Sequence, residues 1–285
     1  MYGVTREWAI VPLLTKFGTN FWNLTAAQIG AATEHYVSCG VTTAHDMLSS
    51  LIEPIVYHSL GDSFPMDVRG YFWITSANLS TFQTSKNYQT NRFKVAGTKL
   101  ILDGSIQAYT AQLTSPYWVP QADEFNDLSN YTYNTSRSCL TESCGVNDFP
   151  APTLLRSLFL NFLENGIDSL VHCNGDQASD NMITAMEWAH NGTNLTSDAR
   201  FVMLHSQTIR EDQLDSLVKQ NIIPSFFPGH IYYWGDEHYQ IFLGPERANR
   251  MDPVRSAIKR NLTFTLHLDS PTIVMGKIQG INTFL

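Results

Sequence analysis

Two histidines and an aspartate each lie at or near the end of a short apolar run that is typical of a buried strand. The runs are Ser-Leu-Val-His172-Cys, Phe-Val-Met-Leu-His205 and Leu-Thr-Phe-Thr-Leu-His-Leu-Asp269. In a barrel of parallel strands, the C-terminal strand ends meet at one pocket. Two imidazoles and a carboxylate in one pocket are ligands for a borderline cation such as zinc. A single strand-end histidine is more often structural, but three such residues at equivalent points favour a metal site.

A lysine lies in another apolar run, Lys99-Leu-Ile-Leu-Asp103. Alternate residues of a strand share a face, so Lys99 and Asp103 lie on the same side. A lysine inside an apolar strand is costly unless it is paired. Lys99 therefore either faces the predicted site or points toward a helix end, where its apolar stem can be covered while the amine stays in water. The pattern alone leaves both interpretations open.

The elements that must position these residues follow a repeated order of helix and strand. Apolar residues at helical spacing precede four of the strands, and Gly40 and Gly166 close two of these helices. The four stripes are Ile29, Ala32, Tyr36 and Val37, then Leu155, Leu158, Phe159, Phe162 and Leu163, then Met182, Ala185, Met186 and Ala189, and finally Leu214, Leu217 and Val218. A fifth helix is predicted to begin at Asp252-Pro253, with Asp252 as the N-cap and proline at the first position. The predicted strands cover residues 41–45, 68–74, 98–103, 169–173, 201–205, 222–226 and 262–269.

Strands that alternate with helices predict an α/β fold with a parallel sheet. Seven such units favour a (β/α)8 TIM-type barrel from which one unit is missing. A doubly wound open sheet is the alternative. Its nucleotide-binding version has no support, because no Gly-x-Gly-x-x-Gly motif follows the first strand.

One long interruption falls between the strand that ends at Asp103 and the next helix. Residues from about 115 to 150 are polar and rich in Asn, Ser, Thr and Tyr. On the face where barrel enzymes place their sites, this insertion could shape a substrate pocket. A decorated surface loop is the equal alternative. We therefore predict one barrel domain over residues 1–285 with a polar insertion.

Six segments, in order along almost the whole chain, resemble motifs of the amidohydrolase superfamily, specifically its amidohydrolase family 3 branch. No single segment is specific to this family, but the order and spacing of the six segments are. The segments, which resemble motifs of the second, fourth, fifth, sixth, seventh and eighth strands, are Gly40-Val-Thr-Thr-Ala-His-Asp-Met47, Lys99-Leu-Ile-Leu-Asp-Gly-Ser105, Val171-His-Cys-Asn-Gly-Asp-Gln-Ala178, Leu204-His-Ser-Gln207, Pro228-Gly-His230 and Leu268-Asp-Ser-Pro271.

The resemblance implies a divalent metal, zinc in the first instance, as one or two ions. It implies that His172, His205, Asp269 and Lys99 are the metal ligands, with Lys99 bridging as a carbamate. A carbamate would turn an ammonium that repels metals into an oxygen ligand. Asp269 would also shuttle a proton from the attacking water, and His230 would touch the substrate or the leaving group. Cleavage of an amide-like, non-peptide C–N bond in a small molecule is the implied reaction.

The sequence departs from the family pattern in two ways. The family's first barrel strand carries His-x-His, and none of the nine histidines here are spaced two apart. The chain therefore matches strands two to eight and lacks strand one and the flanking β-sandwich, which favours a fragment of a longer protein. His267 stands where the family usually has a small residue. It would line the pocket or, as the sequence favours, fill space or hydrogen-bond locally.

Two other functions stay open on the sequence. One is a non-catalytic truncated barrel that retains a ligand pocket or a partial metal pocket. The other is a sugar-active barrel that uses paired carboxylates from among Asp103, Asp176 and Asp269. The ordered histidines argue against the second, because glycosidases need no such set.

The composition of the chain argues against some classes of binding partner. The chain is 43% hydrophobic and 15% charged, with a net charge of -8 and no basic run. Nucleic acid is a poor partner for such a surface. No apolar stretch of membrane-spanning length is present, and the oligomeric state is not readable. Seven Asn-x-Ser/Thr sequons and the close pair Cys139 and Cys144 slightly favour the secretory pathway over the cytoplasm.

Overall fold

The computed structural model describes residues 26–50, 52–74, 79–119, 144–145, 152–191, 198–270 and 272–273. Strands and helices alternate through most of these residues. The strands are β1 Thr43–Ser49, β2 Asp67–Trp73, β3 Phe93–Ile101, β4 Ser169–Cys173, β5 Phe201–His205, β6 Ile222–Phe226 and β7 Thr265–Leu266. The α-helices are α1 Ala26–Ser38, α2 Ile52–Leu60, α3 Leu79–Ser85, α4 Pro152–Glu164, α5 Asp176–Asn191, α6 Glu211–Gln220, α7 Gly229–Glu237, α8 Gly244–Ala248 and α9 Val254–Lys259. A π-helical turn, His238–Phe242, follows α7.

The seven strands form one sheet in the order β1-β2-β3-β4-β5-β6-β7, and the pairs with a recorded register are parallel. A doubly wound sheet reverses its strand order at a switch point, and this sheet does not. Sequential parallel strands with helical connections are the topology of a (β/α)8 barrel. The fold is therefore an incomplete TIM-type barrel, which confirms the prediction.

The chain divides within β3 into two compact units, Met1–Lys99 with Val274–Leu285 and Leu100–Ile273. In the first unit, α1 and the strands β2 and β3 enclose an apolar cluster. The ring of Tyr57 in α2 stacks on the ring of Phe93, with centroids 4.8 Å apart, and so packs against this cluster. The buried members of this cluster are Ile29, Phe64, Met66, Val68 and Phe93.

The second unit has its core between strands β4 to β6 and the helices α4 to α6. The predicted helical stripe of α4 is buried along its whole length, and Gly166 just beyond that helix has φ 59°, the left-handed geometry that glycine allows. The four stripe residues predicted for α5 are also buried. In α6 the prediction is correct for Leu214 and Leu217, whereas Val218 is exposed.

A second apolar cluster lies after β3 in the same unit and holds the segment that follows Asp103. The Tyr117 hydroxyl donates to the Ala111 carbonyl at 3.0 Å, and both residues are buried. The cluster consists of Ile106, Ala111, Leu113, Tyr117, Leu243 and Met251. Most of the predicted insertion at 115–150 lies outside the described residues, as does Cys139. Cys144 is described and is disulfide-bonded.

Candidate metal centre and active site

Three side chains at the C-terminal ends of β5 and β7 bring their metal-binding atoms together. Among the residues that the structure describes, His205, His267 and Asp269 are the group that could hold one ion, with donor atoms all within 4.8 Å of one another. The Nε2 of His267 lies 3.2 Å from the Nδ1 of His205. Two of these residues, His205 and Asp269, are predicted ligands. His267 was singled out by the sequence but assigned a local role.

The backbone of His205 explains how its ring reaches this group. His205 pairs with Cys173 across the β4–β5 ladder, so strand alternation alone would set its side chain on the face opposite to that of His172. His205 instead has φ 69°, outside the strand region, and its ring contacts that of His172 with centroids 4.5 Å apart. Asp269 has φ 51°. Left-handed backbone at non-glycine residues costs free energy and clusters at functional sites.

His172 is oriented by a buried aspartate at the end of β3. Its Nδ1 lies 3.1 Å from Oδ1 of Asp103, whose side chain is fully buried. The Nδ1–H of a neutral imidazole donates to such a carboxylate and leaves Nε2 as the acceptor nitrogen. Asn174 Nδ2 lies 3.4 Å from that Nε2 and donates to the Gly104 carbonyl at 2.9 Å. The predicted ligand His172 is thus held close to the group, although it is not one of its three members.

Asp103 also fixes the backbone around the site. Its two oxygens accept from the amides of Asn174 at 3.0 Å, Gly175 at 2.8 Å and Gln112 at 2.9 Å. At Gly175 a Cβ would overlap the Gln112 carbonyl, so only glycine lets these two segments approach. Asp103 therefore joins the end of β3 to the turn between β4 and α5.

Asp176, the first residue of α5, supports the segment after β3 rather than the metal-binding group. Its carboxylate accepts from the amide of Thr114 at 2.9 Å and also from the Thr114 hydroxyl. Arg210 approaches it at 3.4 Å. These contacts tie the start of α5 to the loop at Thr114.

His230 lies in the first turn of α7 and is buried against a second buried aspartate. Its Nδ1 lies 3.2 Å from Oδ2 of Asp252. Asp252 also accepts from the amide of Phe227 at 3.2 Å. Burial raises the pKa of Asp252, and the adjacent His230 offsets part of that rise. The ring of His230 is 5.7 Å from that of His205, so it lies beside the metal-binding group.

The prediction that Asp252 is a helix N-cap is wrong. Pro253 occupies the N-cap position of α9, and no side chain caps that helix. Asp252 has φ 44° and its carboxylate faces His230 and the Phe227 amide. The Asp252-Pro253 pair is a local sequence signal for the start of a helix. The direction of the Asp252 side chain is determined instead by a contact with His230 of α7, which is distant in the sequence.

His238 lies in the π-helical turn and is a further member of the cluster of histidine rings. It is fully buried, and its Nε2 lies 3.2 Å from Nε2 of Gln207. Because an amide nitrogen donates, the imidazole nitrogen must accept, which requires a neutral ring. Burial, and secondly the nearby His230, lower the pKa of His238 to about 3.

We expect this histidine to make the protein sensitive to acid. The unfolded chain binds a proton at His238 below its ordinary pKa of 6.5, and the folded chain does so only near pH 3, so stability falls as the pH drops through that window. At pH 5 the cost is about 2 kcal/mol. Urea unfolding at pH 7.5 and pH 5 should show this loss in the parent and a smaller one in His238→Gln. The exposed substitution His190→Gln is the control, and an unchanged pH difference in His238→Gln would contradict the assignment.

Lys99 is buried in β3, where it pairs with Trp73 of β2. It is the last residue of the first unit, whereas His205, His267 and Asp269 belong to the second. Its role as a bridging ligand therefore stays a prediction.

The sequence profile of the amidohydrolase family matches residues 23–285. The chain belongs to the amidohydrolase family. A comparison of this chain with curated proteins found no match. Among the described helices, none is long and apolar enough to cross a membrane.

Two solved structures of archaeal proteins share the fold of this amidohydrolase chain. One is an uncharacterized metal-dependent hydrolase from Pyrococcus furiosus, at 21% identity and a TM-score of 0.70, covering 94% of this chain and 51% of that one. The other is an uncharacterized metal-dependent hydrolase from Pyrococcus horikoshii OT3, at 20% identity and a TM-score of 0.66, covering 94% and 50%. The amidohydrolase chain therefore spans about half the length of these proteins.

The residues present fit a divalent ion. Two imidazole nitrogens and a carboxylate at mutual donor distances are the ligand types of zinc and related cations. His267 and His205 are also oriented by neighbours, since the Ser225 hydroxyl lies 3.0 Å from Nδ1 of His267 and rings surround His205.

Proposed function

We propose that this chain is the barrel part of a metal-dependent hydrolase that cleaves amide-like, non-peptide C–N bonds in small molecules. The observation that carries the proposal is the convergence of His205, His267 and Asp269 at two strand ends. Membership in the amidohydrolase family supports it. The likeness to the two archaeal proteins, both metal-dependent hydrolases, supports it as well.

A bound divalent ion, zinc in this proposal, would acidify water and polarise the substrate carbonyl. Asp269 accepts a proton from the attacking water and returns it to the leaving nitrogen. Its Oδ2 accepts from the Thr272 hydroxyl at 3.2 Å, which holds the carboxylate in place. His230, fixed by Asp252, presents its other nitrogen to the substrate or the leaving group.

The remaining ligand assignments follow the family resemblance. In the family's ligand set, His172 would bind metal through Nε2, because Asp103 occupies its Nδ1 side. Lys99 would supply an oxygen ligand as a carbamate. Lys99 is buried in β3, an uncommon position for lysine.

Metal removal is the first test of this function. We expect the chain to release a carboxylate and an amine from at least one member of a panel of N-acyl and cyclic amides. Incubation with dipicolinate followed by desalting should abolish this turnover, and one to two equivalents of Zn²⁺ should restore it. Product formation is followed by mass spectrometry, and metal content is measured in the same samples.

The control is the same treatment with dipicolinate already saturated with Zn²⁺, which should leave turnover unchanged. Turnover that persists in metal-stripped protein would contradict the proposal. Zn²⁺ uptake without turnover of any amide would favour the alternative, a non-catalytic barrel with a retained metal pocket.

A further inference from the structure

His267 stands where the family pattern has a small residue, yet its ring nitrogen faces the metal-binding group. We propose that His267 is a metal ligand, and that one ion binds to His205, His267 and Asp269, with His172 outside its coordination shell. The inference deepens the proposed hydrolase function and rests on it for the role of the ion. It changes the ligand set that the family resemblance implies.

The distance between the two imidazole nitrogens is the first argument. Zinc binds histidine nitrogen at about 2.0–2.1 Å, so two ligands at a tetrahedral angle lie about 3.3–3.4 Å apart. The Nε2 of His267 and the Nδ1 of His205 are 3.2 Å apart. This distance suits a hydrogen bond between the two rings, and it also matches one edge of a zinc tetrahedron. Asp269 has its donor within 4.8 Å of both, so a small side-chain movement brings it to the third corner.

The hydrogen bonding of His267 is the second argument. Its Nδ1 lies 3.0 Å from the hydroxyl of Ser225, which is buried in β6. When Nδ1–H donates to that hydroxyl, Nε2 carries the lone pair that a metal needs. Phe227 stacks on the His267 ring at 5.4 Å between centroids and further restricts its orientation.

The surroundings of His172 are the third argument. Its Nδ1 faces Asp103, and its Nε2 lies 3.4 Å from the side-chain nitrogen of Asn174. Its donor atoms are not part of the group that could hold one ion. With three protein ligands, a tetrahedral ion keeps a fourth position for water, which is the arrangement of catalytic zinc sites. His172, in ring contact with His205, would then border that water.

All three ligands of this site belong to the second unit. Two come from the end of β7 and its following residues, and one from the end of β5. The site thus needs no residue of a His-x-His strand. We therefore expect the chain to bind one ion tightly as it stands.

Metal binding by single variants tests the assignment. The full chain is stripped with dipicolinate and titrated with Zn²⁺ against a competing chromogenic chelator, and with Co²⁺ while the visible absorption is recorded. Loss of outer-shell partners alone typically costs about 10–100-fold in affinity, so His267→Ala should cost about 100-fold or more. His267→Ala should also remove the intense Co²⁺ bands of a tetrahedral site. His172→Ala should cost less than about 10-fold, below the usual loss for an outer-shell partner, because His172 only contacts the ring of His205.

His190→Ala, an exposed histidine substitution at the end of α5, is the matched control and should bind like the parent. Ser225→Ala keeps the ligands and should weaken Zn²⁺ binding about 10-fold through the orientation of His267. Circular dichroism of each metal-free variant checks that it is folded. If His267→Ala is unfolded, His267→Gln replaces it and should likewise lose the tetrahedral Co²⁺ spectrum.

The outcomes separate this inference from the proposed function. If His267→Ala binds Zn²⁺ like the parent while His172→Ala does not, the inference is wrong and the hydrolase proposal stands with the ligand set of the family. If the parent chain binds no ion, the three-ligand site is wrong, whatever the activity of a longer protein. Tight binding by the parent that depends on His267, with no amide turnover, supports the site and overturns the hydrolase function.

Discussion

Replacing Asp103 with alanine is expected to lower the free energy of unfolding by about 3–5 kcal/mol, because it leaves several buried donors without an acceptor. The carboxylate accepts from three backbone amides and lies 3.1 Å from Nδ1 of His172, and it has no exposed surface. Two of those amides belong to buried residues, Asn174 and Gly175. Urea unfolding followed by tryptophan fluorescence measures the change.

Asp103→Asn gives a graded form of the same experiment. The asparagine side chain keeps one acceptor oxygen, but its NH2 group would face backbone N–H donors where the second oxygen of Asp103 had been. We therefore expect a loss of about half that of alanine. The matched control is Asp215→Ala, which removes an exposed carboxylate paired with Arg260 at 2.7 Å. Exposed pairs contribute about 0–1 kcal/mol. A loss at Asp103 no larger than at Asp215 would show that its four contacts do not stabilise the fold.

The strands could be predicted because buried parallel strands have a strong sequence signal. The predicted runs 169–173, 201–205 and 222–226 coincide with β4, β5 and β6. The last strand is shorter than predicted. Only Thr265–Leu266 pair with β6, and Leu266 is exposed, so this run lacks the burial that defines the others.

The helices were predicted where apolar residues form a stripe along one face. Stripes of i, i+3, i+4 spacing mark the buried faces of α4 and α5 well, because those faces pack on the sheet. Residues 229–248 carry no such stripe, and the structure forms α7, a π-helical turn and α8 there. Exposed aromatic residues such as Tyr232 and Tyr233 obscure the periodicity in that region.

The site was predicted in its residue types and only partly in its geometry. His205 and Asp269 meet as expected, but strand alternation would not bring His205 beside His172, and its positive φ is what does so. The partnership of His230 with Asp252 joins residues 22 positions apart. Spacing within one strand or helix cannot reveal such contacts. The face shared by His267 and Asp269 was the signal that could have placed His267 in this group.

Asp269→Asn should lower the turnover number of the proposed hydrolase by about 10²–10⁴-fold, the usual contribution of a positioned general acid–base group. The amide keeps the shape of the side chain and one oxygen for a metal or for the Thr272 hydroxyl, which lies 3.2 Å from Oδ2. It cannot accept a proton from water at neutral pH. The amide substrate that the parent turns over fastest serves for the rate, and Zn²⁺ content is measured on the same sample.

Comparison at equal Zn²⁺ occupancy separates the proton-transfer role of Asp269 from its role as a ligand. A variant that regains full activity when excess Zn²⁺ refills the site would make Asp269 a ligand only, and the proton would then need another acceptor. His230 is one described alternative, because Asp252 holds it in the same cluster of rings. Asp236→Asn, the same chemical change at an exposed position of α7, should leave the rate unchanged. A persistent deficit in Asp269→Asn at full occupancy therefore assigns the proton transfer to this carboxylate.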